Sequence, residues 1–246
     1  MLKALASKYE TKEFLVGDPS WFMHQLDGET NRELLAFIAA AISYGSRKQF
    51  LPKIQILLDS INESGGDVAE WLKTGYYEKV VPRNECCFYR LYNNKVFNDF
   101  LSALAQIVHE NGSLKFFLQK NMTSRTALEA IELLTKEFAL RGSVGVIPKN
   151  THSSCKRVCM FLRWMVRDGS PVDLGIWSDI IDRKTLIIPM DTHVIQEANR
   201  LGLLQSKAAS MSTAIRLTDS LRKIFPDDPL KGDFALFGVG IDSTTS

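Results

Sequence analysis

An aspartate that lies just before a predicted helix is the first candidate for chemistry. Asp191 stands in the segment Pro189-Met190-Asp191-Thr192-His193-Val194, and the predicted helix Thr192–Leu201 ends at Gly202. One interpretation is that its carboxylate only accepts hydrogen bonds from the unpaired amides of that helix. The other is that it faces a cleft and stabilises a positively charged, sugar-like transition state, since the helix N-terminus favours its ionised form. His193 is predicted to be a packing residue rather than a base.

Basic side chains form the second candidate feature. Between positions 141 and 167 the chain has six basic residues and no acidic one. They are Arg141, Lys149, Lys156, Arg157, Arg163 and Arg167. On a predicted helix from about Ser154 to Arg167, helical spacing places Lys156, Arg163 and Arg167 on one face. A basic face without acids is typical of a phosphate-binding surface, but also of a solvated face on a buried helix, and the spacing leaves both interpretations open.

The cysteines and the remaining motifs exclude several classes of enzyme. Cys155 and Cys159 are one helical turn apart, and only Cys86 and Cys87 could complete a metal site with them. Zinc and iron–sulfur sites normally have paired thiolates at short loop spacings, so we expect core packing and no metal. The sequence has no Gly-rich phosphate loop, no nucleophile elbow and no HExxH motif, which excludes the classes that depend on them.

Helices must position all of these residues, because apolar residues recur at three- and four-residue spacing nearly throughout the chain. Thr30 and Glu33 predict a capping box at the start of a buried helix, Asn31–Ser43. Further helices are predicted at about 47–61, 97–109, 114–118, 124–140, 211–224 and 232–239. The loop Arg141–Asn150 is the predicted boundary between two lobes. We expect an all-α fold with one lobe at 31–140 and a second lobe formed by 1–30 and 141–246.

Composition sets broad limits on the function. The 246 residues are 45% hydrophobic and 24% charged, which is ordinary for a globular protein and excludes disorder as the main state. The longest apolar stretch, Leu34–Ile42, is far shorter than the roughly 20 residues that a membrane span needs. The charged N-terminal segment shows no secretory signal and the cysteines show no disulfide framework, so we expect a cytoplasmic protein with no membrane association. Thirty basic and 28 acidic residues give a net charge of only +2.

Two segments together resemble a known superfamily. Lys156-Arg157-Val158-Cys159-Met160-Phe161-Leu162-Arg163 and the later Asp191-Thr192-His193-Val194 with Arg200-Leu201-Gly202-Leu203 are similar to motifs of the helix-hairpin-helix (HhH-GPD) base-excision DNA glycosylases. That superfamily includes endonuclease III and the 8-oxoguanine glycosylases. The chain resembles more closely an uncharacterised bacterial conserved-hypothetical family related to the microbial and archaeal 8-oxoguanine enzymes. The features shared with it include Tyr44–Lys48, Phe161–Arg167, Asp173–Trp177 and Asp233–Gly238.

The resemblance implies a fold and roles for particular residues. It implies a two-lobed helical fold with a cleft between the lobes, in which a longer turn at Gly145–Lys149 replaces the usual hairpin. Lys156 matches the lysine that forms a Schiff base, and Asp191 matches the catalytic aspartate. The four-cysteine iron–sulfur loop of endonuclease III is absent, so no cofactor is expected.

The implied activity is excision of a damaged base, an oxidised purine by expectation, followed by strand cleavage in base excision repair. Arg141, Lys149, Arg157, Arg163, Arg167 and Arg47 are expected to contact DNA, and the pocket for the base is expected to include Tyr44, Asp233 and Phe237. Damaged duplex DNA is the expected partner of a monomer. Two alternatives stay open, a catalytically inactive relative that binds DNA and a non-enzymatic interaction protein whose basic face meets an acidic partner.

Overall fold

The protein is mostly helical, which confirms the predicted all-α class. The computed structural model describes residues 1–143 and 145–244, with side chains described as far as residue 240. The α-helices are α1 (Leu2–Tyr9), α2 (Glu29–Ile42), α3 (Arg47–Glu63), α4 (Val68–Lys73), α5 (Asn94–Asn111), α6 (Leu114–Asn121), α7 (Ala127–Leu140), α8 (Lys156–Val166), α9 (Thr192–Arg200), α10 (Met211–Arg222) and α11 (Lys231–Thr244). Short 3₁₀ helices lie at Lys12–Leu15, Pro19–His24, Tyr76–Lys79 and Arg183–Thr185, and an antiparallel hairpin joins β1 (Cys87–Tyr89) to β2 (Tyr92–Asn93).

The described chain divides into two compact units. The central unit comprises Gly17–Thr123 and Glu132–Asn150, and the terminal unit comprises Met1–Val16, Ser124–Ile131 and the chain from Thr151 onward. The lobe boundaries predicted from the sequence stay a prediction. None of the described helices combines the length and the apolar character that crossing a membrane requires.

Helix α2 forms the core of the central unit. Every residue from Leu34 to Ile42 is almost completely buried, as the apolar run predicts. The Phe37 ring lies 5.8 Å from that of Phe100 and 5.2 Å from that of Phe138, measured between ring centroids. The core of this unit is therefore a cluster of aromatic and aliphatic side chains.

The predicted capping box at Thr30 and Glu33 is wrong. Helix α2 begins one residue after Gly28, whose φ is 84°, and no side chain caps it. The buried Glu33 carboxylate instead accepts hydrogen bonds from the Leu114 amide at 2.6 Å and the Lys115 amide at 3.3 Å. Glu33 thus stabilises the N-terminus of α6, where a negative charge and unpaired amides attract each other.

Helix α8 of the terminal unit is buried along most of its length. Helix α1 packs on α11, and α11 packs on α9. The segment after α8 folds back so that the Leu174 amide donates to the Trp164 carbonyl and the Trp177 amide to the Met165 carbonyl, both at 2.7 Å. Gly175 makes this return possible, because a Cβ atom at this position would lie 2.6 Å from the Asp168 Cα.

Candidate active site at Lys156 and Asp191

The two predicted catalytic residues lie at the N-termini of two helices. Lys156 is the first residue of α8, two positions later than the predicted start, because Cys155 adopts the left-handed backbone conformation with φ 47° and ψ 37°. Asp191 directly precedes α9, and its Oδ1 accepts a hydrogen bond from the Val194 amide at 2.9 Å. The predicted N-cap role of Asp191 is therefore confirmed.

The structure brings these two side chains into contact. Lys156 Nζ donates a hydrogen bond to Asp191 Oδ2 at 2.6 Å, although 35 positions separate the residues in the chain. The Lys156 side chain is 36% exposed and that of Asp191 is 34% exposed. A third molecule can therefore approach the ion pair from solvent.

The surroundings of Asp191 favour its ionised form. Burial alone raises the pKa of this carboxyl, but the charge and hydrogen bond of Lys156, the Val194 amide and the nearby His193 outweigh it. The pKa of Asp191 therefore lies below its ordinary value. At neutral pH the site therefore holds an ionised carboxylate in contact with Lys156 Nζ, and a carboxylate suits the stabilisation of a developing positive charge.

Two predicted DNA-binding residues, Arg163 in α8 and Arg167 directly after it, are instead buried in an ion-pair network. Arg167 is 1% exposed and Arg163 is 5% exposed. Arg167 contacts Asp228 at 2.7 Å, Glu10 at 2.7 Å and Asp173 at 2.5 Å. Arg163 donates to Asp173 at 3.3 Å and contacts Asp233.

The predicted role of Arg163 and Arg167 in binding phosphate is therefore corrected. Both guanidiniums are almost completely buried, and they donate hydrogen bonds to the nearby Asp173 and to carboxylates from distant parts of the chain. Phosphate carries the same sign of charge as these carboxylates and would be repelled by them. Sequence reasoning missed Glu10, Asp173 and Asp228 as partners, and the acidic residue of the Asp173–Trp177 segment was the one signal close to α8.

Asp233 belongs to this network and also lies within reach of the charges of Lys156 and Asp191. Its side chain is 15% exposed and contacts Arg163. The pKa of Asp233 lies above its ordinary value, mainly because the carboxyl is buried. The charges of Arg163 and Lys156 lower this pKa, and the charge of Asp191 raises it. Both members of the Lys156–Asp191 pair therefore act on this carboxyl. Among the predicted base-pocket residues, Asp233 therefore has an electrostatic link to Lys156 and Asp191.

Phe237 packs against the N-terminal segment. Its ring makes edge-to-face contacts with the rings of Tyr9 and Phe14, at centroid distances of 5.9 Å and 5.0 Å. Gly238 accommodates this packing, because a Cβ atom there would lie 2.3 Å from the Tyr9 ring. These contacts account for Phe237 as a packing residue, and its place in a base pocket stays a prediction.

The other predicted DNA contacts differ in their surroundings. Arg141 in the central unit donates to Glu137 at 2.8 Å and to Glu110 at 2.8 Å, and its side chain is only 15% exposed, so its predicted phosphate contact is also corrected. The Arg47 side chain is 48% exposed and pairs with Asp18 at 3.1 Å. Lys149 is exposed, and Arg157, the second residue of α8, is half-buried.

Tyr44 supports the β1–β2 hairpin of the central unit. Its hydroxyl lies 3.4 Å from both the Tyr89 carbonyl and the Leu91 amide, and the Tyr89 hydroxyl donates to the Tyr44 carbonyl. Arg90, at the hairpin tip, has a φ of 50°, and its guanidinium lies against Gly45. Leu91 is 85% exposed, a feature that the sequence analysis missed. The available signal was a leucine that directly follows Arg90 in a segment that continues with Asn93 and Asn94.

The cysteines are all thiols, with Cys155 and Cys159 buried and Cys86 and Cys87 exposed. Burial raises the pKa of Cys155 and of Cys159, which favours the unreactive thiol. Among the side chains that the structure describes, those of residues 1–143 and 145–240, no cluster of three or more histidine, cysteine or acidic groups suits a metal ion.

In comparisons with known proteins, one family model matches a range of the chain that contains the whole site. No curated protein and no solved structure matches the chain. A family model described as "Protein of unknown function (DUF2400)" matches residues 18–242, a range that includes Lys156, Asp191 and the hairpin. Because this match covers most of the sequence, the chain belongs to the DUF2400 family.

Proposed function

We propose that the protein is a DNA glycosylase with lyase activity that excises an oxidised purine in base excision repair. The observation that carries the proposal is the 2.6 Å contact between Lys156 Nζ and the Asp191 carboxylate. Lys156 and Asp191 occupy the positions that the resemblance assigns to the nucleophilic lysine and the assisting aspartate. The proposal includes that the protein acts as a monomer in the cytoplasm.

Lys156 is the proposed nucleophile. Its amine, after giving up a proton, forms a bond to the anomeric sugar carbon C1′ while the bond between C1′ and the base breaks. The base leaves with the electron pair of that bond and takes up a proton. Opening of the sugar ring then gives an imine between Nζ and C1′, from which elimination of the 3′ phosphate cleaves the strand.

Asp191 is the proposed electrostatic partner. Positive charge develops on the sugar as the bond to the base weakens, and a carboxylate stabilises such a transition state. The lowered pKa of Asp191 keeps this carboxylate ionised at neutral pH. Its bond to the Val194 amide fixes one oxygen, and the other faces the lysine.

The proposed DNA contacts change because Arg163 and Arg167 are buried and Arg141 is paired with Glu137 and Glu110. Lys149, Arg157 and Arg47 remain the candidates for binding phosphate, although Arg47 would have to exchange Asp18 for the phosphate.

The tip of the β1–β2 hairpin adds Arg90 and Leu91 to the proposed DNA contacts. A glycosylase must extrude its target nucleotide, and apolar side chains commonly stabilise the distorted duplex by entering the stack of bases. The exposed Leu91, held by Tyr44, has the character that this role requires, whereas the Tyr44 ring is already packed by Tyr89 and Tyr92.

Borohydride trapping tests the proposed chemistry. Duplexes with an abasic site or with 8-oxoguanine are incubated with wild type, Lys156→Gln and Asp191→Asn, and borohydride reduces any imine to a stable adduct. Lys184→Gln is the matched control, because Lys184 pairs with Asp227 at 2.9 Å in the same unit. We expect an adduct with the 8-oxoguanine duplex that is lost in Lys156→Gln and kept in Lys184→Gln.

The other outcomes distinguish the alternatives. Duplex binding without any adduct contradicts the lyase mechanism, and a separate assay for released base then distinguishes a glycosylase without lyase activity from an inactive DNA-binding relative. No duplex binding at physiological salt contradicts a DNA function and favours the interaction protein. An adduct that persists in Lys156→Gln assigns the nucleophile to another amine.

A further inference from the structure

One buried hydroxyl joins the two segments that carry Lys156 and Asp191. Ser154 Oγ donates a hydrogen bond to the Met190 carbonyl oxygen at 3.0 Å. Ser154 lies two residues before Lys156, and Met190 directly precedes Asp191. Both are buried, with exposures of 6% and 1%. The bond therefore connects the chain just before α8 with the chain just before α9.

The other side of Ser154 is attached to α8. Its carbonyl accepts a hydrogen bond from the Cys159 thiol at 3.4 Å, one turn into the helix. Cys155, between Ser154 and Lys156, has the left-handed conformation that residues other than glycine rarely adopt. Ser154 is thus fixed to the first turn of α8 through its carbonyl and to the residue before Asp191 through its hydroxyl.

We propose that Ser154 is a positioning residue whose hydroxyl sets the separation between the Lys156 amine and the Asp191 carboxylate. This inference rests on the proposed function, since it assigns the contact a role in catalysis. Ser154 is buried and acts on the reaction through Met190 and Asp191. The separation matters because a displacement of about 1 Å in reacting groups can cost about a hundredfold in rate.

Removing the hydroxyl has a local effect on the structure. In Ser154→Ala the Met190 carbonyl loses its donor, while Asp191 keeps the Val194 amide and α9 keeps its cap. Both helices can therefore form, and what changes is the placement of one helix N-terminus relative to the other. Threonine carries the same donor, so Ser154→Thr is the conservative variant.

The kinetic test compares single-turnover trapping on the 8-oxoguanine duplex with duplex affinity. Ser154→Ala is expected to trap about tenfold more slowly and to bind the duplex within about twofold of wild type, since misplacement affects the reacting groups. Ser154→Thr is expected to restore most of the rate. Ser60→Ala is the matched control, because the Ser60 hydroxyl is also buried and accepts the Trp71 indole N–H at 3.0 Å in the central unit. A wild-type rate in Ser154→Ala, or an equal loss in Ser60→Ala, would overturn the proposal.

A structural readout separates this proposal from the proposed function. Crystal structures of wild type and Ser154→Ala give the distance between Lys156 Nζ and Asp191 Oδ2 without any activity. We expect the distance to grow beyond hydrogen-bond length, about 3.2 Å, in the variant. An unchanged distance contradicts the positioning role. A wild-type protein that forms no adduct contradicts the lyase mechanism of the proposed function, and this distance then decides the role of Ser154.

Discussion

Helix α8 and Arg167 directly after it carry two cationic regions, and these regions differ in almost every respect. Lys156, in the first turn, meets the single carboxylate of Asp191, and about a third of each side chain is exposed. Arg163 and Arg167, two and three turns later, meet four carboxylates and are almost completely buried. The same kind of charge at helical spacing thus gives an accessible pair at one end and an internal network at the other.

The difference shows that burial, rather than the type of residue, separates the two regions. A buried network is costly to break, because removing one partner leaves charges without compensation in a poorly solvated place. An exposed pair contributes little to stability, since water and salt already screen its charges. The network therefore holds α8 to its neighbours, and the pair at the first turn is available for chemistry.

The sharpest test of the comparison is Lys156→Gln, which should affect activity but not folding. We expect borohydride trapping to fall by roughly a thousandfold or more, the scale of loss when a catalytic group is removed. The free energy of unfolding should change by less than about 1 kcal/mol, because the pair is exposed. Urea unfolding of the same preparations measures the second quantity. A variant that unfolds in dilute buffer would contradict the separation of the two regions.

Arg167→Leu should show the opposite pattern. Its removal leaves Asp173 and Asp228 without their main partner, so we expect a loss of about 3–5 kcal/mol in the free energy of unfolding. Arg183→Leu is the matched control, because Arg183 pairs with Asp168 at 2.8 Å with both side chains well exposed. The control should lose about 1 kcal/mol or less in urea unfolding. Equal losses in the two variants would remove the distinction between buried and exposed pairs.

The sequence predicts those features that depend on neighbouring residues. The apolar run at 34–42 predicts the buried helix α2, and Asp191 before a helical pattern predicts the N-cap that is observed. Glu33 shows the limit of local reasoning. The capping motif around it is intact, yet its carboxylate binds amides more than 80 positions later. The amides at the start of α2 and those at the start of α6 are chemically alike, and tertiary contacts decide which of them Glu33 binds.

The charge network could not be predicted for the same reason. The absence of acids between 141 and 167 suggested an exposed basic face, but Asp228 lies 61 positions after Arg167 and Glu10 lies 157 positions before it. Pairing of Lys156 with Asp191 likewise followed from the resemblance and not from their spacing. Helix α1 and the β1–β2 hairpin are too short for a periodic pattern, and packing stabilises such short elements.

The tip of the β1–β2 hairpin extends the comparison to the central unit. Because Leu91 is exposed there, we expect its substitution to affect DNA binding more than stability. Leu91→Ser should weaken binding to an 8-oxoguanine duplex by about tenfold, the lower range for loss of a contact in the stack of bases. Its free energy of unfolding should stay within about 0.5 kcal/mol of wild type. Leu140→Ser is the control, because Leu140 is 72% exposed in the same unit. Equal weakening in both variants, measured by fluorescence anisotropy, would contradict a specific contact by Leu91.

The smallest expected effect is the dependence of stability on pH at Asp191. Its folded pKa lies below the ordinary value, so its contribution to stability is present at neutral pH and is lost as the pH falls below about 4. The difference in unfolding free energy between wild type and Asp191→Asn should therefore be constant from pH 7 to pH 5 and shrink below about pH 4. Because the side chain is partly exposed, we expect a change of less than about 1 kcal/mol.

Asp173 in the buried network should respond with the opposite sign. Burial raises its folded pKa above the ordinary value despite Arg163 and Arg167. Its titration therefore favours the folded state at low pH, and this contribution is lost as the pH rises above about 4 through the raised pKa. Comparing wild type with Asp173→Asn across pH 3–8 should give a stability difference that falls as the pH rises, whereas the Asp191 difference rises with pH below about 4. Slopes of the same sign would mean that the two regions of α8 do not differ in solvation, which is the property that separates a structural pair from one that can meet a substrate.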